Sequence, residues 1–397
     1  MSRLFICDPV CAQEFGHSVV ALNYFTKTFA SRFAEVIPIC CNRLSARLVT
    51  KYGFQAFYSY YYEDYIPLPI SSLLRQDHKI GDEISFDDSL ETLATKDAIS
   101  LLQHFSVSSA DVVFFPSADF YGLLGLLNAL ALMPLNARPQ LKLRFIGVME
   151  HASKGFRDPE RTLLRRLHEV CGSADNVSIG AETPALADRL ASLLDTHVEV
   201  IAYPNLADVV PIPKVGPFYV FCPGSARHDK GYLSLLSVFT QVRERDPALS
   251  IRFVAQQLPP RDAVQFLSYT TKMYALPGVE LLGHSISEDE MCLRYEQCSA
   301  VLLPYDEQTY KYRGSAAMME AAYFGRPVIT LDNTAFAEQV RYYKLGKICR
   351  DLGDMHGAIE DLARTPRIEL QRNAAQSRFR FSSDIESTYD RWMGKAA

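Results

Sequence analysis

The residues best placed for chemistry lie in two short segments of the second half of the chain. The first is Phe221-Cys222-Pro223-Gly224-Ser225-Ala226-Arg227-His228-Asp229-Lys230-Gly231, a buried strand end followed by a loop and a helical stretch. Glycines at both ends let backbone approach a ligand closely, and the free amides and positive dipole end of a helix start attract anions. Arg227 and Lys230 add two full charges at that mouth. A guanidinium forks onto two oxygens while an ammonium acts as a compact point charge, so a diphosphate is the anion best matched to the pair. Each charge-assisted hydrogen bond there is worth roughly 1.5–3 kcal/mol. Taken alone, two cations in a loop also describe a solvated surface, so the second segment matters.

That segment runs from Tyr305 through Tyr312-Arg313-Gly314-Ser315 to Glu320 and on to Gly325-Arg326-Pro327-Val328-Ile329. A polar, aromatic loop follows a strand ending at Pro304 and enters a helix at Arg313-Gly314-Ser315, where Ser315 can cap and the free amides make a further anion-friendly helix start. Gly325 ends the helix before a buried strand. Glu320 lies among small apolar residues, where an unpartnered carboxylate is costly. A ribose diol is one partner for it; a structural Arg or Lys is the other.

These loops need a frame that brings them together. Short apolar runs alternate with stretches of helical period, the pattern of crossover units on parallel sheets, so the class is α/β. Predicted strands are Leu4–Cys7, Val36–Cys40, Val112–Phe115, Leu143–Val148, Val177–Ile179 and Val198–Ala202, then Phe218–Cys222, Ile251–Val254, Val279–Leu281, Ala300–Leu303 and Val328–Thr330. Helical stretches include Val19–Phe33, Tyr121–Ala131, Pro184–Leu194, Tyr232–Arg245, Glu288–Gln297, Gly314–Phe324 and a tail from about Glu369 to Trp392. A chain of 397 residues exceeds what one core supports, and Tyr203 to Lys214, with three prolines after a strand, marks the boundary. The aromatic run Tyr52 to Tyr65 has no clean period and reads as an irregular loop or as an acceptor-binding surface.

Composition narrows the function classes. With 48% hydrophobic and 22% charged residues the chain is neither disordered nor fibrous, and a net charge of −5 gives no general attraction to nucleic acid. Nine cysteines with no Cys-x-x-Cys pair read as buried thiols in a reducing compartment. The run Leu4 to Cys7 is too brief for a signal-peptide core, and no window is apolar enough to span a bilayer. A cytoplasmic protein is expected. There is no Asp-x-Asp motif near a strand end, so no metal is expected.

Both segments, in this order, resemble the donor-sugar domain of GT-B glycosyltransferases of the family 4 type: Arg227, Lys230 and Gly231 match its first motif, Glu320 and Gly325-Arg326-Pro327-Val328-Ile329 the end of its second. Leu281-Leu282-Gly283-His284-Ser285-Ile286-Ser287-Glu288-Asp289-Glu290 and Val301-Leu302-Leu303-Pro304-Tyr305 also fit the family's run. The resemblance is good from about Tyr203 to Arg341. It departs at Tyr312, eight positions before Glu320, where the family has the first Glu of its pair, which usually touches hydroxyls of the transferred sugar.

The resemblance implies two Rossmann-like doubly wound domains facing a central cleft: residues 1–205 on the acceptor side, with a C-terminal helix of about 376–397 packing back on them, and 206–375 binding the nucleotide-sugar. It implies a retaining transferase that moves a sugar from a UDP- or GDP-linked donor to a saccharide acceptor, in cell-surface polysaccharide or glycolipid assembly. Arg227, Lys230 and His151 would act at the leaving group and scissile bond. Gly16, Gly224, Gly283, His284, Tyr312, Arg313, Gly314, Ser315 and Glu320 would bind donor, with Asp8, His17 and Glu150 on the acceptor side. Gly16-His17-Ser18 also reads as a plain helix cap, and a lone His151 also reads as structural.

Such enzymes often extend lipid-linked saccharides at the inner membrane face. Arg43, Arg47 and Lys51, with Arg157, Arg161, Arg165 and Arg166, read either as solvated helix faces or as contacts to anionic lipid. A non-catalytic sugar-nucleotide or glycan-binding protein, made thinkable by Tyr312, and a nucleotide-sugar epimerase are the alternative functions.

Overall fold

The computed structural model describes residues 2–13, 18–59, 86–147, 159–171, 176–202, 210–224 and 226–393. The chain forms two compact units, one of Met1–Glu182, Ala187–Pro204 and Tyr389–Ala397, the other of Thr183–Leu186 and Asn205–Thr388. Of the Pro-rich segment between them, 203–209 lie outside the described residues.

The first unit runs β1 (Arg3–Asp8), α1 (Ser18–Phe29), β2 (Glu35–Cys41), α2 (Ala46–Tyr52), β3 (Gln55–Tyr58), α3 (Phe86–His104), β4 (Val112–Phe115), α4 (Phe120–Ala131), β5 (Gln140–Phe145), α5 (Pro159–Cys171), β6 (Val177–Ala181), α6 (Pro184–Leu194) and β7 (Val198–Val200). All pairings are parallel, in the order β3-β2-β1-β4-β5-β6-β7. The chain leaves the centre at β1, returns to it at β4, and so reverses between those two strands. Continuous apolar runs such as Val112–Phe115, buried on both faces, are what a helix-covered parallel sheet requires.

The second unit runs β8 (Phe218–Cys222), α7 (Leu235–Arg245), β9 (Ile251–Gln256), α8 (Pro260–Gln265), α9 (Leu267–Ala275), β10 (Val279–Leu282), α10 (Glu288–Gln297), β11 (Ala300–Leu303), α11 (Ala316–Tyr323), β12 (Val328–Leu331), α12 (Ala335–Tyr343), β13 (Gly346–Cys349), α13 (Met355–Arg364) and α14 (Arg367–Met393). Its sheet is also parallel, ordered β10-β9-β8-β11-β12-β13, with the reversal between β8 and β11. In such sheets ligands bind beyond the carboxyl ends of the strands at that reversal.

The α/β class and two parallel sheets match the sequence reading, with three corrections. β5 lies at Gln140–Phe145, not Leu143–Val148, because Lys142 and Arg144 are buried in it and satisfied there. Arg144 donates to the Ile201 and Pro116 carbonyls and pairs with Glu182 at 2.6 Å. β3 occupies Gln55–Tyr58 inside the aromatic run expected to be irregular; residues 60–65 of that run lie outside the described residues. β13 was not anticipated, since Gly346 and Lys347 on an exposed edge give no apolar run.

The tail is a single helix, α14, whose residues divide between the units. Phe381 packs on Tyr323 and Tyr343 in the second unit, at ring-centroid distances of 5.2 and 5.1 Å. In the first unit Trp392 meets Phe114 at 5.4 Å and Tyr389 meets Phe29 at 5.5 Å. The buried Lys142 ammonium donates to the Trp392 carbonyl (2.6 Å) and to Ser178 Oγ (2.9 Å), closing the carboxyl end of α14 with a cation where the helix dipole favours one.

Candidate active site

The two loops singled out in the sequence leave the sheet of the second unit at the carboxyl ends of β8 and β11, side by side at its reversal. After β8 the backbone turns through Gly224 at φ 96° and, past a 3-10 turn over His228–Lys230, through Gly231 at φ 65°. Each glycine serves a close approach. A methyl on Gly231 would overlap the carbonyl of Pro304 in the β11 loop, and one on Gly224 would overlap the Lys230 ammonium. Gly224 was expected to admit a ligand to the backbone; its missing side chain seats Lys230.

Lys230 therefore points back across its own loop. Its ammonium lies 5.8 Å from the centroid of the buried Tyr305 ring. Burial first, and the Arg227 charge second, bring it down to about 8, while Asp229 and Glu320 act in the opposite direction. Glu320, half-buried on α11, is thus within electrostatic reach of Lys230.

Arg227 is half-exposed, its side chain 52% accessible, and grips Asp229 two residues on: Nε to Oδ1 at 3.0 Å and Nη2 to Oδ2 at 2.6 Å. Asp229 is itself held. Its Oδ2 accepts from the Tyr310 hydroxyl at 3.4 Å, and its carbonyl accepts from Asp306 N at 2.9 Å.

The β11 loop is built to hold those rings still. Asp306 Oδ1 accepts from the Thr309 amide and hydroxyl, both at 2.8 Å. Tyr310 packs on Tyr305 (4.6 Å between centroids) and Phe336 (5.9 Å), and its carbonyl accepts from Ala335 N at 2.8 Å. Ser315 is buried and caps α11, accepting from Met318 N at 3.2 Å, as expected from the sequence. Tyr312, Arg313 and Gly314 are half-buried just before this cap, with the Lys311 ammonium 5.5 Å over the Tyr312 ring.

Gly283 and His284 follow β10, two strands from β8 at the same carboxyl edge, and both are exposed; Gln256 Nε2 donates to the His284 carbonyl at 3.2 Å. Arg227, Lys230, Gly224, Ser315 and Glu320 thus share one loop cluster. Asp229, Tyr305 and Tyr310 were not named as site residues. The signal for Asp229 was present, a carboxylate two residues from one cation and adjacent to the other.

In the first unit Asp8 ends β1 at the reversal beside β4. It is fully buried. Oδ1 accepts from Val10 N at 3.2 Å, and Oδ2 has no hydrogen-bond partner among the described residues. Burial, and then the Asp119 carboxylate, push its carboxyl up to about 7. Asp119 caps α4 through Gly122 N at 2.9 Å. Gly16, His17, Glu150 and His151 lie outside the described residues.

Of the basic residues, Arg165 and Arg166 reach Glu169 at 3.7 and 3.5 Å, Arg166 also donates to Asn128 Oδ1, and Lys51 lies 4.8 Å over the Tyr52 ring. Arg157 lies outside the described residues. No helix among the described residues is long and apolar enough to cross a membrane, and no group of three His, Cys, Asp or Glu there could hold a metal ion.

Residues 217–365 match the family described as glycosyl transferases group 1, over less than half of the chain. No curated protein matches the sequence. Among solved structures, the lipopolysaccharide outer core galactosyltransferase WaaB aligns over 99% of both chains with a TM-score of 0.65 at 12% identity. Sucrose-phosphate synthase from Thermosynechococcus elongatus aligns over 99% of this chain and 98% of its own, with a TM-score of 0.62 at 13% identity. S. aureus TarM, in a complex with fondaparinux, alpha-GlcNAc-glycerol and UDP, aligns over 75% of this chain with a TM-score of 0.54 at 15% identity; the alignment spans 58% of the TarM chain. At these identities the likeness is one of fold. The second unit carries the group 1 glycosyltransferase signature, and the chain has the two-sheet GT-B fold of the glycosyltransferases it resembles.

Proposed function

We propose that the protein is a retaining glycosyltransferase that moves a sugar from a nucleoside-diphosphate donor, UDP- or GDP-linked, to a saccharide acceptor. The observation that supports this most is the placement of Lys230 and Arg227 beside Tyr305 and the Ser315-capped helix start, at the reversal of a sheet matching the group 1 family.

Breaking the sugar–phosphate bond leaves negative charge on the diphosphate while the anomeric carbon gains oxocarbenium character. Arg227 and Lys230 hold that growing charge, and the N-terminal end of the Ser315-capped helix adds a dipole fixed before the reaction begins. The departing phosphate takes the acceptor's proton, and side chains supply the cations that offset the charge it gains. Glu320 binds the ribose diol, while Gly283 and His284 line the base end. Asp8, with a buried oxygen that has no hydrogen-bond partner among the described residues, receives an acceptor hydroxyl in the first unit. His17, Glu150 and His151 are proposed on the acceptor side and at the scissile bond from the resemblance alone. Work at the inner membrane face on a lipid-linked saccharide, in cell-surface polysaccharide or glycolipid assembly, is part of the same proposal.

A thermal-shift panel of UDP-, GDP- and dTDP-sugars tests donor binding, since a ligand at 100 times its dissociation constant adds about 2.7 kcal/mol of stability. Release of free nucleoside diphosphate with saccharide acceptors then tests turnover. Tyr312 in place of a carboxylate favours one second reading, a binding protein without turnover; donor binding with no nucleoside diphosphate released across acceptors would select it.

A further inference from the structure

We propose that Asp229 is a positioning residue: it fixes one edge of the Arg227 guanidinium so that the other edge stands ready to fork onto the donor diphosphate. This rests on the phosphate-binding role proposed above for Arg227. A guanidinium has two edges that can each make a pair of parallel N–H bonds. Asp229 takes the Nε and Nη2 edge, with bonds of 3.0 and 2.6 Å, so the end of the guanidinium, Nη1 with the outer hydrogen of Nη2, is the edge that can turn to an anion, with the Tyr310 hydroxyl also against this guanidinium. An arginine that is half-exposed and unrestrained would have to give up rotamer freedom on meeting its ligand, whereas one held by a carboxylate has already lost it.

The restraint is anchored well away from solvent. The Tyr310 hydroxyl contacts Asp229 Oδ2, and Tyr310 is buried, packed against Tyr305 and edge-on to Phe336, and tied through its carbonyl to Ala335 N. The Asp306 amide holds the Asp229 backbone from the same loop. The β11 loop thereby sets the direction of a cation carried on the β8 loop, which couples the two halves of the site. Asp229 has a second effect, opposing the fall in Lys230 proton affinity that burial and then Arg227 cause.

The test is a double-mutant cycle on the full chain, read as the dissociation constant for UDP or GDP, whichever binds wild type. Asp229→Asn weakens binding about fivefold in the wild-type background and leaves it unchanged in Arg227→Ala, because there is no guanidinium left to aim. Asp229→Glu, which keeps the carboxylate, recovers most of the loss, and Tyr310→Phe reproduces a smaller part of it. A purely structural Asp229 would weaken both backgrounds alike, and one that merely competes with phosphate would bind more tightly as Asn; either result overturns the proposal. If Arg227→Ala itself binds like wild type, the phosphate-site reading has failed instead, which separates the two. Melting temperatures taken alongside confirm that each variant is folded.

Discussion

The ammonium of Lys230 occupies the space where a side chain on Gly224 would stand. A glycine in the β8 loop is thus required twice, by its φ of 96° and by the cation folded over it. Gly224→Ala is expected to cost roughly 1–3 kcal/mol of stability from the backbone alone. It also drives Lys230 out of the cluster, so nucleoside diphosphate binding falls at least tenfold while the protein remains folded. Calorimetric titration with a melting curve checks both; unchanged binding would show that the Lys230 position is unimportant.

Lys230 predicts a pH dependence with a definite sign. Its folded value of about 8 lies below the ordinary 10.5, so between those two values the unfolded chain holds a proton that the folded chain has released. Folded stability from this group therefore rises with pH across that window. Ligand binding runs the other way. A diphosphate favours the ammonium, so affinity is full below pH 8 and drops about tenfold per pH unit above it until the bound-state value is reached. Urea midpoints and dissociation constants at pH 7 to 9.5, with Lys230→Met as the control that removes both trends, are the measurement.

Asp8 gives the opposite stability trend. A carboxyl raised from 3.8 to about 7 keeps its proton in the fold after the unfolded chain has lost it, so its contribution is greatest at low pH and declines between about pH 4 and 7. Asp8→Asn removes the charge at nearly constant shape. It is expected to raise the melting temperature at pH 8 and to change it little at pH 4; equal shifts at both would mean that Asp8 is not the titrating group.

Lys142 tests how the tail is held. Lys142→Met leaves the Trp392 carbonyl at the buried end of α14 without its cationic donor, a loss expected to cost about 1–3 kcal/mol. Denaturant melts read the change, and protease cutting near Trp392 in the variant but not in wild type locates it.

The two sheets and the loop cluster proposed to bind the donor are legible in the sequence because both are written locally. Runs such as Ala300–Leu303 read as buried strands, Arg227 and Lys230 follow one such run, and Ser315 and Glu320 lie at the cap and in the body of the helix that follows another. What escaped was set by tertiary partners. The strand character of Gln140–Phe145 was hidden by Lys142 and Arg144, charges that are tolerable only because Trp392, Ser178, Ile201, Pro116 and Glu182 receive them. The Asp229 carboxylate stands between two cations in the sequence, but its further partner Tyr310 lies 81 residues along the chain, beyond any local pattern. No local pattern announces that Oδ2 of Asp8 is buried with no partner among the described residues, since burial of that oxygen is a property of the packed sheet end.

The central claim is that the loops after β8 and β11 form a cradle for a leaving diphosphate. Calorimetric titration of UDP and GDP into wild type, Arg227→Ala and Lys230→Ala at pH 7 tests it most directly. The account predicts measurable binding of at least one nucleotide to wild type and a loss of about 2–4 kcal/mol, at least thirtyfold, in each variant. Equal affinity in all three proteins would contradict it.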